Sequence, residues 1–157
     1  MKQEINYKIA ETDKDFEDGK ALFLEYATAL NIDFSFQNFT AELQSVSKKY
    51  AAPEGGLILA YYRNEAIGCS GIRWLEDGIG ELKRLYVRDT MRGHGLGFTL
   101  MEKSLITARN LGYKKVRLDT LTSMESAIKL YETFGFYEIP AYCFNPFPNA
   151  RFYEILL

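Results

Sequence analysis

The order of apolar runs predicts an α/β (α+β) fold: a mixed central sheet with an antiparallel N-terminal meander, one parallel strand pair, and helices on both faces. Three observations carry this. Leu57–Arg63, Ala66–Trp74 and Ile79–Val87 are apolar-rich runs separated only by the turns Arg63-Asn64-Glu65 and Glu76-Asp77-Gly78, which makes a meander. Lys114–Thr120 is a further strand that returns beside Ile79–Val87 through a helix carrying Leu96, Leu100, Ala108 and Leu111. A crossover of that kind makes the pair parallel and the connection right-handed. The length of 157 residues suits one domain, 1–157, and a domain of that size buries about 68–70 % of its unfolded surface.

The remaining elements follow in order. Ile5–Ala10 alternates like a first strand, and Asp13 or Asp15 can cap the helix after it, which carries Phe16, Phe23, Tyr26 and Leu30. Asn31–Thr40 mixes polar and aromatic residues and reads as a loop or short broken helix. Phe39, Leu43, Val46 and Tyr50 give a second amphipathic helix, closed by Pro53-Glu54-Gly55-Gly56. Ser123 is expected to cap a helix over Met124–Thr133 that Gly135 ends. Phe136–Ile139 and Arg151–Leu157 are closing strands.

Composition excludes several function classes. Net charge is −2 with dispersed Lys and Arg, so no basic run tracks nucleic acid or an anionic membrane. Cys69 and Cys143 form no CxxC pair and His94 is the sole histidine, so neither a disulfide framework nor a metal site is expected. Met1–Ala10 lacks a signal-peptide core and no apolar run approaches 18 residues, which gives a cytoplasmic expectation. Cys69 reads as a small core residue. Aromatics make up 15 % of the chain and suit a core, an aromatic-lined pocket, or both.

The strongest chemical signal is Arg92-Gly93-His94-Gly95-Leu96-Gly97, between a strand and a helix. A helix N-terminus leaves backbone N–H groups unpaired and carries partial positive charge. Glycines let that backbone curl around an anion, so the turn suits a phosphate or pyrophosphate. A Walker A string is absent, and a dinucleotide fingerprint needs a glycine where Phe98 stands.

The stretch Glu81–Phe136 resembles the GNAT superfamily of N-acyltransferases. Arg92, Gly95 and Gly97 match its [RQ]xxGx[GA] signature after Leu85-Tyr86-Val87, and Ala127, Leu130-Tyr131-Glu132 and Gly135-Phe136 match its A-x-x-LYE-x-x-GF half. The resemblance implies an acetyl-CoA-dependent N-acetyltransferase. In it, the backbone of Leu85, Tyr86 and Val87 pairs with the pantetheine arm, and Arg92, Gly93, His94, Gly95, Leu96 and Gly97 hold the pyrophosphate. Tyr131 is implied as proton donor to the leaving thiolate, and Glu81 or Asp119 as general base. Many members carry Asn where this chain has Met124. The acceptor is implied to be an amine of a small molecule or peptide, entering between Asn31–Phe39 and Tyr142–Pro148; Phe34, Phe36, Tyr142 and Asn145 are its candidate contacts. The same aromatics suit a homodimer contact. Transfer of a longer acyl group, or a non-catalytic acyl-CoA sensor, are the competing readings.

The chemistry sets what the base must do. A lysine-type amine of pKa about 10.4 is neutral in about one molecule in 2,500 at pH 7, a cost of roughly 4.6 kcal/mol. An α-amine of pKa about 8 costs only about 1.4 kcal/mol, so a general base matters more for the former.

Overall fold

The structure, a computed structural model, describes residues 4–157, with the side chains at 36 and 37 outside the described residues. Its centre is a seven-stranded sheet. Strands β1 (Asn6–Ile9), β2 (Gly56–Tyr62), β3 (Glu65–Glu76), β4 (Ile79–Val87), β5 (Lys115–Leu121), β6 (Tyr137–Ile139) and β7 (Ala150–Leu156) lie in the spatial order β1-β2-β3-β4-β5-β7-β6. Only β4 and β5 run parallel, and every other neighbouring pair is antiparallel, as the run order predicted.

The helices are α1 (Asp13–Leu30), α2 (Phe39–Gln44), α3 (Val46–Lys49), α4 (Leu96–Asn110) and α5 (Glu125–Phe134), with 3₁₀ turns at Phe34–Gln37 and Asp89–Met91. Strand β2 shows how the layers are built. Its side chains alternate faces, and both sets are buried. Leu57 and Leu59 pack with Leu22 and Phe23 of α1 and with Tyr50, whereas Ile58 and Ala60 pack with Leu96 and Leu100 of α4. A third cluster joins Met101, Leu105 and Ala108 of α4 to Val116 and Leu118 of β5 and Tyr131 of α5.

Three local expectations are corrected. Helix α1 is capped by Thr12, whose hydroxyl accepts from the Asp15 N–H at 3.1 Å while Asp15 accepts from the Thr12 N–H at 3.1 Å. Asp15 is therefore the return arm of a capping box, and neither Asp13 nor Asp15 is the cap. The second helix is two short ones, because Ser45 leaves helical geometry (φ −133°, ψ 27°). Its hydroxyl donates back to the Ala41 carbonyl at 2.7 Å. Ser123 does not cap α5: Met124 takes that place, with no side-chain cap.

Candidate active site

Strands β4 and β5 pair over only three positions, Ile79 with Lys115, Gly80 with Val116 and Glu81 with Arg117. Beyond them the strands part, which opens the sheet from Leu82 onward. Into this gap points the N-terminus of α4. Gly93 and Gly95 stand at φ +83° and +77°, left-handed backbone that glycine adopts without strain. Gly95 begins the helix with no side-chain cap, so the first-turn N–H groups remain available to a ligand. The result is a cleft of about 660 Å³ whose walls include Leu85, Tyr86, Val87, Arg92, Gly93, Gly95, Leu96 and Gly97 from one side and Met124, Ala127 and Leu130 from the other. That volume lies within the usual range for ligand sites. Arg92 stands at the rim, its Nε donating to the Val87 carbonyl at 3.2 Å and its Nη1 paired with Asp89 at 2.9 Å. His94 is exposed and lies outside the cleft lining.

Strand β4 carries an irregularity that sequence reasoning missed. Cys69 pairs with Tyr86 and Gly71 with Lys83, so two steps along β3 match three along β4. The extra residue is a β-bulge at Arg84, which sits at φ +59°. A non-glycine residue there costs on the order of 1–3 kcal/mol and persists only where its surroundings hold it. Here they do. The guanidinium is gripped by Glu42 through two hydrogen bonds of 3.0 Å, and lies over the rings of Phe34 (4.5 Å) and Phe39 (5.1 Å).

The bulge shapes a second, inner cavity of about 50 Å³. Leu82, Lys83, Arg84 and Leu85 all line it, together with Asp119 and Thr120 of β5, Tyr131 of α5, Phe34, and Asn145 and Phe147 of the late loop. Tyr26, Leu30, Leu85 and Met124 border both spaces, so the inner cavity adjoins the cleft at that wall. The Tyr26 ring stacks on Phe34, with centroids 5.9 Å apart and planes 7° from parallel.

Beneath the cavity runs a network of buried charge. Lys83 donates to Asp119 at 3.0 Å and lies 3.5 Å from Glu81. Glu81 also accepts from Arg73 at 3.1 Å and from the Tyr142 hydroxyl at 2.7 Å. Arg73 reaches Glu42 at 3.4 Å, and Tyr50 donates to Glu42 at 3.1 Å. Burial pushes the Asp119 carboxyl up, but the adjacent Lys83 ammonium and hydrogen bonds from Lys83 and Asn145 bring it below the ordinary carboxylate range.

The expected site residues therefore separate. Asp119, Tyr131, Phe34 and Asn145 come together around the inner cavity. Glu81 lines neither space; it is 2 % exposed and tied into the network behind Lys83. The Tyr142 hydroxyl is turned to Glu81, its ring packs edge-on against Phe152, and it lines neither space. The Phe36 side chain lies outside the described residues. Tyr131 is packed against Phe136 and Tyr153, and burial, with lesser contributions from Tyr26 and Asp119, raises its hydroxyl far above the ordinary phenol value. It keeps its proton throughout the neutral range. Lys83 and Arg84 had one signal in the sequence, two consecutive cations inside an apolar central strand.

The comparisons agree with this geometry. The model of the acetyltransferase (GNAT) family matches residues 21–136. An uncharacterized N-acetyltransferase of Schizosaccharomyces pombe is 35 % identical over 155 residues, covering 96 % of this chain and 94 % of that protein. The IAA acetyltransferase of Azospirillum brasilense is 31 % identical over 119 residues, covering 74 % of this chain and 75 % of that protein. Among solved structures, a GNAT-family acetyltransferase from Staphylococcus aureus Mu50 superposes with a TM-score of 0.78 at 23 % identity, covering 96 % of this chain and 98 % of that one. A GNAT-family acetyltransferase from Elizabethkingia anophelis, with acetyl-CoA bound, gives 0.67 at 21 % identity, covering 99 % of this chain and 100 % of that one. The fold is theirs, and the two halves of the sequence signature stand on opposite walls of one cleft. The chain belongs to the GNAT family of acetyltransferases and is an acyltransferase.

Proposed function

We propose that residues 1–157 form one N-acetyltransferase domain, acting in the cytoplasm, that uses acetyl-CoA to acetylate the amine of a small molecule. The observation that supports this most is the cleft itself: an uncapped helix N-terminus with two left-handed glycines at one end, and an open strand edge at the other. Gly93 and Gly95 combine left-handed backbone with open space where a Cβ would stand, which leaves room for an anion close against the turn. The related Elizabethkingia structure with acetyl-CoA bound supports the choice of donor.

In this reading Gly93–Gly97 and Arg92 hold the pyrophosphate, and the backbone of Leu85–Val87 holds the pantetheine arm. Acetyl-CoA supplies the acetyl thioester. The backbone N–H groups of that same segment steady the thioester oxygen. Tyr131, which lines the inner cavity, gives its hydroxyl proton to the departing sulfur. Asp119 is the carboxylate that borders the cavity, and Glu81 acts behind it by anchoring Lys83 and Tyr142. A carboxylate held this low is a weak base, which favours acceptors that reach the site already neutral.

Calorimetric titration with acetyl-CoA, with ATP as control, tests the donor: micromolar binding of acetyl-CoA alone is expected, and equal or no binding of both refutes it. Tyr131→Phe should lower kcat about 100-fold, the low end of a general acid's contribution, with acetyl-CoA affinity unchanged. Undiminished thiol release by that variant removes Tyr131 from the reaction.

A further inference from the structure

The bulge at Arg84 does more than bend β4. Without it, Lys83 and Arg84 would point to opposite faces of the strand; with it, both line the inner cavity. Their side chains are only 5 % and 3 % exposed. Neither cation is fully paired. Arg84 uses Nε and Nη2 on Glu42, and its Nη1 meets no acceptor among the described residues. Lys83 has three ammonium protons for the two carboxylates it meets, Asp119 at 3.0 Å and Glu81 at 3.5 Å. Buried donors left without an acceptor are costly, and native proteins rarely keep them without a ligand or water to fill the place.

Among the described residues the buried cations Arg73, Lys83 and Arg84 are matched by Glu42, Glu81 and Asp119, so it is the donors left over, not a net charge, that suit an anion here. The space of about 50 Å³ is smaller than the roughly 150 Å³ that accommodates benzene, so a short head group enters rather than a ring or a peptide. A guanidinium N–H and an ammonium can each take one oxygen of a carboxylate.

We propose that the acceptor is a small amino-acid-type compound, whose carboxylate is held by Lys83 and Arg84 at the floor of the inner cavity. This rests on the acetyltransferase reading above. Polyamines are then poor acceptors, because they bring no carboxylate to take the donors of Lys83 and Arg84.

The test needs no variant. Thiol release is measured with acetyl-CoA and matched acceptors: glycine, alanine and β-alanine against their carboxamides, with putrescine as a polycation. At least a tenfold advantage in kcat/KM for the carboxylates is expected. Equal or faster turnover of the carboxamides or putrescine overturns the assignment, as does failure of every carboxylate to react in a protein that binds acetyl-CoA. Failure to bind acetyl-CoA at all would instead refute the donor reading, a separate result.

Discussion

Glu42→Gln is expected to lower the melting temperature by about 6–20 °C. The side chain is 0 % exposed and is the counter-charge for Arg84 at 3.0 Å and Arg73 at 3.4 Å. Removing one member of a buried ion pair costs about 3–5 kcal/mol, because the partner remains charged and desolvated. For a chain of this length each kcal/mol moves the transition by about 2–4 °C. The variant also changes the pH response. Burial pushes the Glu42 carboxyl up, yet hydrogen bonds and charge from Arg84 outweigh it, so the folded value lies below the ordinary one. A group depressed in the folded state stabilises above its unfolded pKa, and that contribution disappears as pH falls through the folded value. The wild type should therefore lose stability below about pH 4.5, near the ordinary Glu value, and the Gln variant should show a flatter acid limb. Thermal melts from pH 7 to 3 measure both effects. An unshifted melting temperature at pH 7 would show that the two arginines find equivalent partners.

Gly95→Asp is expected to abolish acetyl-CoA binding while leaving the fold in place. The two effects separate at this position. A Cβ meets nothing within 4 Å, and Asp bears the strain of left-handed backbone at φ +77° better than most side chains. What it cannot do is share the site with a pyrophosphate. Two like charges about 4 Å apart repel by about 4 kcal/mol at an effective dielectric of 20, on the order of a thousandfold in affinity. Calorimetry reads the affinity and thermal melting reads the fold. Retained affinity would place the phosphates elsewhere.

The sequence conveyed the framework and missed the charged interior, for identifiable reasons. The three meander strands were legible because alternating apolar runs and two-residue turns are local signals; Ile79–Val87 was read to the residue. The turn before α4 was legible because three glycines in five residues, Gly93 to Gly97, stand out at a strand-to-helix junction. Glu42, Arg73, Lys83 and Arg84 were not, since charged residues are ordinarily exposed and the ion pairs that keep them inside, with Glu81 and Asp119, join segments distant in the chain. The bulge at Arg84 was equally hidden, because no glycine marks the positive φ. The orientation of Tyr142 was hidden because a loop aromatic near a cleft can turn either way, and only its partner Glu81 fixes the direction. The cap of α1 was off by a role, with Asp15 serving as the reciprocal acceptor and Thr12 as the cap.

The parting of β4 from β5 after three rungs leaves an interior strand edge that the polypeptide itself never completes. A ligand that adds a strand there joins the folding equilibrium as well as the reaction. At a hundred times its dissociation constant, any ligand specific to the folded state contributes about 2.7 kcal/mol. The lifetime of such an enzyme would then track the supply of its own co-substrate, and a starved cell would hold the protein in a state more readily unfolded and cleared.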